Sequence, residues 1–283
     1  MRTLRILLDN IRFEHTIFAL PFAYLGMILA GRGWPGWGQV FWVTLAMAGA
    51  RTAAMSLNRL IDARIDARNP RTAGRPIPGG RLPPRAVLLL SGASLAVLLF
   101  SAAMLNDLCL RLAPVAMLVL VVYPYTKRFT WLSHWVLGLA DAIAPMGGWL
   151  AVSPFFSGEA LLLSAAVAVW IAGFDLIYAC QDVDFDRQEG LYSFPAQFGV
   201  AASLNLSTAM HVATAALLAV LGAVMGLSWP YWLGWLAAGA LLVYEHRLVS
   251  PHDLSRLDLA FFNVNGYIAL VVFVGTLASL YVA

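Results

Sequence analysis

The chain has 283 residues, 61% of them hydrophobic and 12% charged, with a formal charge of +3 and a mean hydropathy of +0.77. Apolar runs recur at the length that crosses about 30 Å of hydrocarbon, so a soluble core is excluded and an all-α, polytopic membrane protein is expected. The basic residues follow membrane topology and give no sign of a nucleic-acid partner, while Cys109 and Cys180 support neither a disulfide framework nor a zinc site.

In chain order, the opening MRTLRILLDNIRFEH is amphipathic and charged and lacks a short apolar core, so no cleaved signal is expected. Nine transmembrane spans follow, at about 16–30, 39–57, 87–105, 108–123, 135–152, 160–179, 201–225, 231–244 and 259–282. The first two are joined by GWPGWG, and the seventh and eighth by a turn ending in WPYW; both suit a membrane interface. Pro21, Pro114 and Pro145 are expected to interrupt their spans. No soluble domain or linker stands out, and residues 1–283 read as a single membrane domain with two weakly repeated halves. If the N-terminus is cytoplasmic, all of the 18 lysines and arginines except Arg32, Arg51 and Arg111 fall on the cytoplasmic side. The positive-inside rule therefore expects the charged loops in the cytoplasm, the C-terminus outside, and a cell (inner) membrane location.

Charge concentrates in two places. After the second span, NRLIDARIDA places Asn58, Asp62 and Asp66 every four residues, so a continuous helix carries them as one stripe about 12 Å long. After the sixth span, YACQDVDFDR repeats that spacing in Tyr178, Asp182 and Asp186, and Asp175 lies two turns before Asp182. Both clusters emerge on the same expected side, where a bundle can bring them face to face. Opposed carboxylates repel unless a cation lies between them, and Mg2+, held by a few carboxylates while sharing phosphate oxygens, is the natural occupant. Arg71, Arg75 and Lys127 supply further positive charge for a diphosphate. Topology alone accounts for Arg64, Arg68, Arg81 and Arg85, but not for two acidic series of one spacing.

Other polar residues say less. Arg51 and Asp141 lie inside spans, where either a buried ion pair or a substrate contact accounts for them. His134, His211, His246 and His252 show no partner spacing and read as structural.

Asn58-x3-Asp62-x3-Asp66 followed by NPRTAGRPIP, and Asp182-x3-Asp186 followed by FPAQFG, resemble the UbiA superfamily of intramembrane aromatic prenyltransferases. The resemblance spans essentially the whole chain. It implies nine helices around a central cavity, with a cytoplasmic cap formed by the loops after helices 2 and 6. It implies Mg2+ as cofactor, held at Asn58, Asp62 and Asp66 and at Asp182 and Asp186, with Arg71 and Arg75 clamping the diphosphate of a polyprenyl donor. Lys127 of YPYTK would neutralise the leaving group, Tyr123 would hydrogen-bond within the site, and Arg12 would lie near the acceptor. RFEHTIFALPFAYLGMILAG and DFDRQEGLYSFPAQFG are most similar to the 4-hydroxybenzoate polyprenyltransferase-like branch. The implied partners are a polyprenyl diphosphate, an aromatic acid and the lipid bilayer, with no obligatory protein partner. Tyr192 in GLYS departs from hydroxybenzoate enzymes that carry lysine before the serine, leaving a dihydroxynaphthoate for menaquinone as the alternative acceptor. A membrane transporter is the alternative from another class.

Overall fold

The computed structural model describes residues 13–257 and 259–282, and the side chains of all of these except 13–19, 261 and 262. Among them the long elements are all helical: α1 (Phe13–Ala30), α2 (Trp37–Ile61), a short α3 (Ala63–Asp66), α4 (Pro84–Leu105), α5 (Asp107–Thr126), α6 (Ser133–Val152) and α7 (Gly158–Ala179). A 3-10 turn (Cys180–Asp182) leads to α8 (Val183–Glu189), α9 (Phe194–Phe198), α10 (Val200–Met225), α11 (Trp229–Arg247), a π-helical segment (Leu259–Val264) and α12 (Asn265–Ser279). Among the described residues no β-strand occurs; Ser250 and Asp253 form an isolated bridge. Six helices there are long and apolar enough to cross a membrane, from Trp37–Ile61 to Val200–Met225, with shorter apolar stretches at Leu20–Ala30 and Asn265–Ser279. The chain is a multi-pass membrane protein.

Local sequence explains several helix ends. Pro84 opens α4 at a position where its missing N–H costs nothing. Ser157 caps α7 by accepting a hydrogen bond from Ala160 N at 3.1 Å. Gly190 and Gly226 end α8 and α10 with φ of 66° and 64°, and the following N–H groups, of Leu191 and Leu227, return to the carbonyls of Asp186 and Gly222. Arg32 occupies the same left-handed region at the end of α1, with φ 49°, while its Nη1 donates to Met225 O at 2.9 Å.

The contacts sort the described residues into two compact units, one from 13–20 with 37–125 and the other from 21–36 with the described residues after 125. In the first, α2 packs along α4. In the second, α6 packs along α7, α7 along α10, and α11 along α12. The second unit holds the larger buried core, which includes Phe22, Leu25, Trp149, Leu163, Trp170, Leu221 and Ile268. Many large apolar side chains stay exposed, such as Leu89, Leu118, Leu139 and Leu161, as expected where hydrocarbon replaces water as the solvent. Trp34, Trp37 and Trp229 are exposed at helix ends.

Three sequence expectations need correction. The prolines do not interrupt their helices: Pro21, Pro114 and Pro145, and also Pro124, lie inside unbroken α1, α5 and α6. The acidic series do not lie on continuous helices. Asp62 leaves helical geometry (φ −89°, ψ 1°) between α2 and α3, and the 3-10 turn separates Tyr178 from Asp186. The last span does not begin as an α-helix: it opens as a π-helix, and Asn265 Nδ2 donates to Ala260 O at 3.2 Å, satisfying a carbonyl in the widened turn.

Close backbone approach in the second unit depends on small residues. A Cβ added at Gly148 would lie 2.0 Å from Ala23 O, and one at Gly26 would lie 2.0 Å from Pro145 O. Gly148→Ala therefore forces two helix backbones apart. An overpacking loss of about 1–3 kcal/mol or more is expected, read as a lower unfolding midpoint in detergent. An unchanged midpoint would show that the interface can relax.

Candidate functional site

The first unit carries the first acidic cluster where α2 gives way to α3. Helical hydrogen bonding persists through the break, with Asp62 N donating to Asn58 O at 3.0 Å and Asp66 N to Asp62 O at 2.8 Å. The three residues thus keep the four-residue hydrogen-bond register although Asp62 departs from helical geometry. Asp62 and Asp66 are 2% and 5% exposed. Asn58 Nδ2 donates to Tyr123 OH at 2.7 Å, which leaves the amide oxygen of Asn58 as the acceptor for a ligand.

The loop after α3 is coiled into turns that fold it back on this cluster. Thr72 Oγ1 donates to Asp66 O at 3.0 Å, Arg71 N donates to Asn69 Oδ1 at 2.9 Å, and Arg75 N donates to Thr72 O at 2.9 Å. Ile77, Leu82 and Val87 pack with Leu60 and Ala63 and anchor the far end. The result brings Arg75 to Asp66, with Nη1 at 2.7 Å from both carboxylate oxygens. Arg71 is exposed on the same loop.

The second unit carries the second cluster. Lys127, Asp175, Tyr178, Asp182 and Asp186 are all partly buried. Asp186 stands in the field of Asp182, Lys127 and His134, with the Ser193 side chain beside it. Segment 190–194 ties these residues together: Tyr192 N donates to Lys127 O at 2.7 Å, and Leu191 N donates to Asp186 O at 2.8 Å. Ser193 also caps α9 by accepting from Ala196 N at 3.3 Å. Asp175 pairs with His134, Nδ1 to Oδ2, at 2.6 Å. Asp184 points outward and is exposed, whereas Asp182 and Asp186 are not.

Within the first unit, Asn58 meets Tyr123 and Asp66 meets Arg75; within the second, Asp186, Asp182 and Lys127 lie close enough to interact electrostatically. Arg12 lies outside the described residues. His134, Ser193, Thr72 and Asn69 were not anticipated as site residues. Ser193 had a readable signal, since Ser-Phe-Pro places a capping residue two positions before proline. His134 had none, because Asp175 is 41 residues away.

The donor set is oxygen throughout, which suits a hard cation such as Mg2+. Among the described residues no three His, Cys, Asp or Glu side chains converge as a ready-made cage. An Mg2+ ion takes one or two carboxylates, keeps several waters and completes its shell with substrate phosphate. Asn58 oxygen, Asp62 and Asp66 fit such an ion in the first unit, and Asp182 and Asp186 fit one in the second.

The UbiA prenyltransferase family description matches residues 19–267. A 4-hydroxybenzoate octaprenyltransferase from Aliivibrio fischeri is 30% identical over 253 residues, 89% of this chain and 88% of that protein. Another, from Aeromonas salmonicida, is 35% identical over 227 residues, 80% of this chain and 77% of that protein. Among solved structures, the apo form of a UbiA homolog from Aeropyrum pernix K1 matches with a TM-score of 0.86 at 35% identity, covering 94% of this chain and 98% of its own. A UbiA homolog from Archaeoglobus fulgidus bound to GPP and Mg2+ shares the fold, with a TM-score of 0.70 at 19% identity over 98% of this chain and 100% of its own. With its two acidic clusters on an all-helical membrane scaffold and relatives along nearly its whole length, the chain belongs to the UbiA prenyltransferase family and is an aromatic prenyltransferase of the 4-hydroxybenzoate polyprenyltransferase-like kind.

Proposed function

We propose that the chain carries out Mg2+-dependent transfer of a polyprenyl group from a polyprenyl diphosphate to a ring carbon of a 4-hydroxybenzoate-type aromatic acid, in quinone biosynthesis. The observation that carries this reading is the burial of Asp62 and Asp66, 2% and 5% exposed, in a chain otherwise built for lipid. A buried carboxylate is costly unless it is paired or binds a cation. Hydroxybenzoate octaprenyltransferases as relatives favour this acceptor, and Tyr192, 43% exposed, keeps a dihydroxynaphthoate as the second candidate.

Asn58, Asp62 and Asp66 would hold one Mg2+, and Asp182 and Asp186 another. Bound there, the metal supplies positive charge that stabilises the departing diphosphate. Arg71, Arg75 and Lys127 add hydrogen bonds and charge to the phosphate oxygens as the carbon–oxygen bond breaks. With Asp66 directed to a metal, the Arg75 guanidinium beside it would be available to phosphate. Tyr123 holds Asn58 through their 2.7 Å hydrogen bond. In this reading Asp175 and Tyr178 bind the acceptor, with Asp175 accepting the hydrogen bond of its hydroxyl group. The allylic cation is captured by the ring carbon ortho to that hydroxyl, and the ring proton then passes to the released diphosphate as the C–H electrons restore the aromatic ring. The apolar helices keep water, a competing nucleophile, from the cation.

The nine crossings, central cavity and loop cap of the family belong to this proposal, as do the inner membrane, a cytoplasmic N-terminus and site loops, and an outside C-terminus. The test offers the purified protein 4-hydroxybenzoate and dihydroxynaphthoates with prenyl diphosphates of several lengths and identifies products by mass spectrometry. C-prenylated hydroxybenzoate is expected; prenylated naphthoate alone would move the assignment to menaquinone, and no prenylated arene would overturn it.

A further inference from the structure

His134 sits in the first turn of α6, 4% exposed, with both ring nitrogens engaged. Nδ1 lies 2.6 Å from Asp175 Oδ2, and Nε2 lies 3.2 Å from Phe194 N. A backbone N–H can only donate, so Nε2 must present its lone pair. The neutral ring then carries its hydrogen on Nδ1 and donates it to Asp175. The opposite arrangement, a protonated Asp175 donating to Nδ1, would put an Nε2–H against the Phe194 N–H. The backbone therefore selects the tautomer, and the tautomer keeps Asp175 an acceptor.

Two consequences follow for Asp175. Its Oδ2 is committed, and among the described residues His134 is its recorded partner, so Oδ1 remains as the acceptor for an incoming group. The carboxylate torsion, otherwise broad, is also pinned. Phe194 belongs to the segment in which Leu191 N bonds the Asp186 carbonyl and Tyr192 N bonds the Lys127 carbonyl. His134 thus couples Asp175 to the backbone that sets Lys127 and Asp186. Packing holds this joint: Phe194 rests against Trp131 and Trp135, with ring centroids 5.8 and 5.9 Å away.

We propose that His134 is a positioning residue for the transfer reaction, holding Asp175 so that one oxygen is kept for the hydroxyl of the aromatic acceptor. This rests on the aromatic-acid reading above. His134 touches no reacting atom and acts through Asp175.

The experiment compares wild type, His134→Ala, His134→Gln and Asp175→Asn, purified in detergent, with separate KM values for the aromatic acid and the prenyl diphosphate. His134→Ala is expected to raise the aromatic-acid KM about tenfold or more while the diphosphate KM stays within about twofold. Gln can donate from its amide nitrogen and accept on its amide oxygen, so His134→Gln is expected to restore the acceptor KM to within about threefold of wild type. Asp175→Asn still accepts from Nδ1 but offers an NH2 group in place of the second oxygen, so it should lose acceptor affinity without a lower unfolding midpoint. It keeps the test alive if His134→Ala does not fold. An unchanged acceptor KM in Asp175→Asn or His134→Ala would overturn the proposal, as would equal rises in both KM values with no rescue by Gln. A wild-type protein that prenylates no aromatic acid would instead remove the underlying reading, a distinguishable result.

Discussion

Asp62→Ala and Asp182→Ala are each expected to reduce Mg2+-dependent transfer at least about 100-fold, because on the proposed assignment each would remove an oxygen that holds the metal as the diphosphate leaves. The effect should fall mainly on turnover and should not be recovered by raising the aromatic-acid concentration, since that substrate does not replace a metal ligand. Asp184→Ala provides the matched control. It lies between Asp182 and Asp186 in sequence, yet it is exposed on α8, so its loss should change transfer by no more than about twofold. Normal turnover by Asp62→Ala or Asp182→Ala would remove that cluster from the metal assignment. Equal losses in all three variants would point to a general effect of charge at the membrane edge.

What the sequence made readable, and what it did not, divides along local and tertiary causes. The apolar runs located the long helices because hydrocarbon imposes a length on any helix that crosses it, and Pro84, Ser157 and Gly226 set ends by chemistry confined to a few residues. The spacing of Asn58, Asp62 and Asp66 identified the acid cluster but suggested a straight helix, because a four-residue repeat looks the same whether or not the backbone departs from α geometry at Asp62. The 3-10 turn at Cys180–Asp182 was hidden for the same reason. Proline carried the opposite error. Pro145 reads as a break, yet α6 continues through it, where Gly26 and Gly148 allow another helix to lie close enough for backbone packing. The return of Arg75 to Asp66 depends on turns held by Thr72 and on burial of Ile77 and Leu82, contacts that no periodicity encodes. His134 was passed over because its meaning lies wholly in Asp175 and Phe194, both distant in sequence.

Arg75→Ala should move two binding constants in opposite directions. Arg75 Nη1 lies 2.7 Å from both oxygens of Asp66, so on the proposed assignment the guanidinium and a metal ion would compete for one carboxylate. Removing Arg75 lifts that competition, and Mg2+ binding measured without a prenyl diphosphate should tighten. The same change removes a cation assigned to the diphosphate, and the KM for the prenyl diphosphate should rise about tenfold or more, the usual scale for a lost hydrogen bond to a charged group. Arg75→Lys keeps the charge but replaces the planar fork by a point charge, so both effects should be intermediate. Titration of Mg2+ into the substrate-free protein by calorimetry, beside donor saturation curves at fixed aromatic acid, reads the two constants independently. A weaker Mg2+ site in Arg75→Ala would mean that Arg75 organises Asp66 for the metal. An unchanged donor KM would mean that the arginine only neutralises a buried carboxylate and takes no part in holding the diphosphate.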